Sequence, residues 1–117
     1  MLRKIFFIAS LLIGFSVYAD HGRTSSAIPT GINTVQSSGF IIYGDFGNPG
    51  GCTNANSIWI SKSHAQYDQL YSVALSALMA GKKVNGYIHS CISIPWLSGT
   101  TKDYNTITAG DFIINSQ

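Results

Sequence analysis

The chain has 117 residues, five aspartates, no glutamate and a formal net charge of +2, which leaves room for one domain with one modest core. Its seven lysines and arginines form no basic stripe, and that excludes a nucleic-acid binder that works by displacing counterions. No apolar run reaches the roughly twenty residues of a membrane span.

Arg3 and Lys4, an apolar run over residues 5–15, and then Val17, Tyr18 and Ala19 have the layout of a cleaved secretory signal. Residues 1–19 are therefore expected to be removed, leaving an exported chain that starts at Asp20. No cysteine stands at the cleavage point, which argues against a lipid anchor. Without the signal, Arg23, Lys62, Lys82, Lys83 and Lys102 balance Asp20, Asp45, Asp68, Asp103 and Asp111. Two cysteines in an exported chain are most simply one disulfide, Cys52–Cys91. Closing a loop of about forty residues contributes about 4 kcal/mol in the chain-entropy model.

Residues 20–34 are polar and read as a loosely ordered leader, with an extra strand around Ile32. His21 stands beside the new N-terminus, where a solvated imidazole on a frayed end is the plain expectation. Residues 35–43 (VQSSGFIIY) read as the first full strand, apolar on both faces over Phe40 to Tyr43 and so expected to cross the centre. The glycines of residues 44–51 (GDFGNPGG) mark a hairpin loop; no Lys-Ser/Thr closes them into a phosphate loop. Residues 57–61 (SIWIS) form a short strand, with Trp59 expected to fill the core or an interface.

Residues 63–84 carry the clearest signal in the chain, an amphipathic helix over about 64–80. Ser63 with Gln66 makes a capping box. Tyr67, Leu70, Tyr71, Ala74, Leu75 and Leu78 recur at helical spacing, and Gly81 stands where a left-handed cap is wanted. The opposite face, with Ala65, Gln69, Ser72, Val73, Ser76 and Ala80, carries little charge, Asp68 being the only acid on the whole helix, and it is expected to be covered by another subunit, a partner or the N-terminal leader. Residues 83–91 alternate as another strand carrying His89, expected to be a hydrogen-bonded structural histidine. Residues 92–103 form a loop and residues 104–115 close the chain as a strand with a bulge or turn near Gly110.

Catalytic and metal chemistry find little support. No nucleophile-elbow motif accompanies the serines, and the cysteines are expected to be bonded. The aspartates are scattered rather than paired. His21, His64 and His89 are far apart in sequence, which does not suggest a zinc site. The expectation is no enzyme, no metal and no cofactor. Trp96, following Pro95 in a polar loop, offers an aromatic face, and Lys102, Asp103, Tyr104 and Asn105 stand close by in sequence to orient a ligand such as a glycan.

The Ser57-Ile58-Trp59 strand end, the tyrosine-containing helix and Gly81-Lys82-Lys83-Val84 opening the next strand resemble the receptor-binding B subunits of subtilase-cytotoxin and typhoid-toxin type. The likeness covers residues 57–88. The order Cys, helix, Gly-Lys-x-Val, Cys also resembles small exported single-disulfide proteins of Gram-negative bacteria. The toxin resemblance implies an OB-type barrel, glycan binding and a pentamer with helices around a pore. The family's sugar-contacting N-terminal serine and second disulfide have no counterpart here, so no residue is carried over as a glycan ligand. The sequence thus predicts an α+β fold: one small antiparallel OB-like β-barrel over residues 35–117, one helix between strands and one disulfide. The function expected is an exported, secreted or periplasmic binding module. The other reading is a periplasmic structural or interaction protein that packs its helix against a partner.

Overall fold

A computed structural model describes residues 21–36, 38–94, 102–109 and 112–115. It is an α+β molecule whose strands lie in two sheets. In chain order the elements are β1 (Gly22–Arg23), β2 (Gly31–Val35), β3 (Gly39–Tyr43), β4 (Asn54–Ser61), α1 (Tyr67–Ala80), β5 (Val84–Ile88), β6 (Ser90–Ile92), β7 (Tyr104–Thr106) and β8 (Phe112–Ile114). The larger sheet has the order β2-β3-β4-β7-β6, and the smaller has β1-β5-β8. All pairs are antiparallel except β4 with β7. The described strands do not close into the OB-like barrel expected from the sequence.

The reason lies in two places where the chain changes sheets. Residues 83–91, expected as one strand, pair first with β1 and β8 and then, past His89, with β7. Residues 104–115 likewise divide into β7 in the larger sheet and β8 in the smaller. The expected strand over residues 35–43 is also two elements: β2 and β3 form a hairpin, with Val35 paired to Gly39. The expected loose leader is partly ordered. Gly22 and Arg23 pair with β5, Ala27 bridges Val84, and Gly31–Val35 is a full strand.

Phe40, Ile41 and Ile42 are all fully buried, because the larger sheet is covered on both faces, as the two-sided apolar pattern implies. One face, with Phe40, Ile42, Ile58, Ile60 and Ile107, packs on Leu70, Ala74 and Ala77 of α1 and on Val84, Ile88 and Phe112 of the smaller sheet. The other carries Val35, Ile41, Trp59, Ile94 and Tyr104. Gly39 lets β3 approach β4 closely. A Cβ there would overlap the Ile60 carbonyl oxygen and lie 2.8 Å from the Trp59 ring.

The helix ends as its sequence dictates and starts otherwise. Gly81 adopts the left-handed conformation (φ 68°) and its N–H returns to the Ala77 carbonyl. At the other end the expected capping box does not form. The helix begins at Tyr67 with Gln66 as N-cap and no side-chain cap bond, while the Ser63 hydroxyl is engaged 3.0 Å from that of Ser61.

Candidate functional site

The surface expected around Trp96 draws on residues 96 and 102–105. Trp96 lies outside the described residues. Tyr104 is 8% exposed and belongs to the second core cluster, and Asn105 is 1% exposed. The Asn105 amide is consumed by the fold: Oδ1 accepts the Gly50 N–H at 2.9 Å, and Nδ2 donates to Asn48 Oδ1 and to the Asn54 carbonyl. Asp103 takes the Thr53 N–H at 2.8 Å and donates its own N–H to the Thr53 hydroxyl. Lys102 is exposed. Of the expected contact residues, Asp103 and Asn105 therefore fasten the loop before β4, while Tyr104 packs in the core.

The disulfide joins Cys52 to Cys91, the pairing expected from the sequence. It ties that same loop to β6. Asp103 approaches both sulfurs, with the three ligand-type atoms within 4.8 Å of one another. The sulfurs are bonded to each other and offer no thiolate, so the trio has no metal-ligating chemistry in the oxidised protein.

A different feature has the shape of a site. A cleft of about 520 Å³ opens where the end of β4, the turn into α1, the segment after β6 and the end of β7 converge. Trp59, Ile92, Ile94 and Ile107 give it apolar walls. Ser38, Ser61, Ser63, Ser93 and Thr108 line it with hydroxyls, and Lys62 and His64 complete it. Thr106 also borders it, but its hydroxyl is spent on the Tyr104 carbonyl at 2.8 Å. No carboxylate lines the cleft among the described residues.

The turn into α1 is built by short local bonds. The Lys62 N–H donates to the Ser38 carbonyl at 2.7 Å, tying the turn to the β2–β3 hairpin, and the His64 N–H donates to the Ser61 carbonyl. His64 is 9% exposed, and its Nδ1 accepts the Gln66 N–H at 2.9 Å. Its Nε2 is buried with no hydrogen-bond partner among the described residues, and so is Nδ1 of His89. Burial, with a smaller electrostatic contribution from His89, holds the His64 imidazole below the ordinary histidine value.

The expected hydrogen-bonded role of His89 is therefore not met at Nδ1; its ring instead lies 5.1 Å from that of Tyr87. His21, expected on a frayed end, is docked: its Nδ1 is 2.9 Å from the Tyr87 hydroxyl. The expected contact face of the helix is open at Gln69, Ser72 and Ser76, while Val73 is half-buried against the core. Sequence reasoning missed the cleft because its lining comes from segments that no motif links. The one available signal was the serine-rich run at residues 61–63 just after Trp59.

No family model matches the chain, and no curated protein or solved structure matches it.

Proposed function

We propose that this protein is an exported, non-enzymatic binding module whose ligand seat is the cleft between Trp59, His64 and Ile94, and that the ligand is a polyhydroxylated one of carbohydrate type. The observation that carries this reading is the lining: hydroxyls on Ser38, Ser61, Ser63, Ser93 and Thr108 around apolar walls, with one ammonium and, among the described residues, no carboxylate. Sugars present apolar C–H faces edged by hydroxyls, and such a surface suits both. The resemblance of residues 57–88 to toxin B subunits supports a binding role. Export is supported by the signal-like layout of residues 1–19 and by the disulfide.

The test is glycan-array binding of the purified protein beside a Thr108→Trp variant. Thr108 is exposed on the cleft, so the larger side chain is expected to fill the seat and lower binding at least about tenfold while leaving the melting temperature unchanged, as surface substitutions commonly do. Undiminished binding by that variant would refute the cleft as the seat.

A second reading, subunit or partner contact through α1, is favoured by a specific observation. Leu75 is 41% exposed and Met79 78% exposed on the same side as Ser72 and Ser76. Large apolar side chains left outside on a face with little charge are the usual mark of a protein contact.

A further inference from the structure

His64 stands between the cleft and the helix and connects them. Its Nδ1 accepts the Gln66 N–H, so the neutral ring carries its proton on Nε2. Gln66 is the residue from which α1 starts, and no side chain caps it in the usual way. The N–H of an N-cap residue is the donor that a capping-box side chain at the third helical position normally accepts. Here an imidazole two residues upstream takes that place.

Protonation removes the arrangement at its root. An imidazolium has two N–H donors and no acceptor, so Nδ1 would face the Gln66 N–H donor to donor. The new charge would also arise among groups of its own sign. Lys62 lines the same cleft, His89 acts on the ring from the junction of β5 and β6, and the start of α1 carries the positive end of the helix dipole. Among the described residues the opposing group is Asp68 in the first turn, and it is exposed. The other cleft walls, from Ile92 to Ile94 and from Thr106 to Thr108, contribute no ionisable side chain.

We infer that the His64–Gln66 bond is an acid-released latch, which holds the first turn of α1 and the adjoining cleft wall at neutral pH and lets go when the imidazole takes a proton. This does not depend on what the cleft binds. Because the folded-state value lies below 6.5, the unfolded chain binds more protons in the window between the two. The latch contributes fully above pH 6.5. Its contribution falls as the pH drops through the window, and is lost below the folded-state value.

The experiment follows the His64 ring and the Gln66 amide of the labelled protein by NMR from about pH 8 to about pH 4.5, the range in which histidines change charge. The Gln66 amide shift is expected to move with the His64 ring titration. Its exchange protection, corrected for intrinsic pH dependence, is expected to fall on the order of tenfold, the population change that loss of one helix cap produces. His64→Asn places a non-titrating acceptor oxygen where Nδ1 stands, so the variant is expected to keep Gln66 protected in acid and to lose less melting temperature on acidification. A Gln66 amide indifferent to the His64 titration would overturn the latch, as would superimposable pH–melting profiles for the two proteins. If His64→Asn does not fold, the titration of the unaltered protein decides alone.

Discussion

Asn105 shows how much of this molecule depends on single polar side chains. Its amide satisfies the Gly50 N–H, the Asn54 carbonyl and Asn48, while Asn48 clasps Cys52 from both sides, accepting its N–H and donating to its carbonyl at 2.8 Å each. Gly50 is seated so closely over this group that a Cβ would lie 2.8 Å from Asn105 Oδ1 and 3.1 Å from the Cys52 sulfur. Replacing Asn105 with Ala would strand a buried N–H and part of a connected network, at a cost of about 3 kcal/mol. Urea unfolding should show that loss, whereas Lys102→Ala, at an exposed position, should stay within about 0.5 kcal/mol. In the sequence, Lys102 to Asn105 look like a polar run fit for a ligand. Nothing local indicates that Asn48, 57 positions earlier, is the partner of Asn105. Asn56 is a similar case, a non-glycine residue at φ 59° whose side chain accepts the Gly47 N–H; asparagine tolerates that conformation where most residues do not.

At the scale of elements, the helix was legible where the signal is intrinsic to the backbone and illegible where neighbours decide. Gly81 needs only its own freedom to adopt a left-handed cap, and it does so. The helix start depends on what the preceding turn does with Ser63, and Ser61 claims that hydroxyl. The inward stripe is shifted as well: Ala77 is fully buried and Leu75 is 41% exposed, although Leu75 fits the helical period. Small Ala74 and Ala77 allow the helix to lie close to the core, and Leu75 and Met79 are left outside. If that face is a contact between copies, light scattering on the purified protein should report an oligomer, and Met79→Glu should convert it to a monomer with little change in melting temperature. A wild-type monomer across the accessible concentration range, with no partner required for stability, would remove the second reading.

For the whole molecule, strand alternation revealed which segments are extended but not how they assemble. A period of two is the same whichever sheet a strand joins, so the changes of sheet at His89 and between β7 and β8 leave no mark in the sequence. The parallel pairing of β4 with β7 is equally silent, since it joins strands separated by the helix and two further strands. These same pairings bring Thr106 to Thr108 beside Trp59 and the turn at Lys62 to His64, and so create the cleft. The disulfide was legible because the chain holds two cysteines and so allows a single intramolecular pairing. The central claim, that the cleft is the ligand seat, is tested most directly by mapping amide shift changes when a glycan identified on the array is titrated into the labelled protein. The account predicts that the largest changes fall on Ser61 to His64, Ser93, Ile94 and Thr108. Changes concentrated instead on Lys102 and Asp103, or on Ser72 to Met79 of the helix, would contradict it.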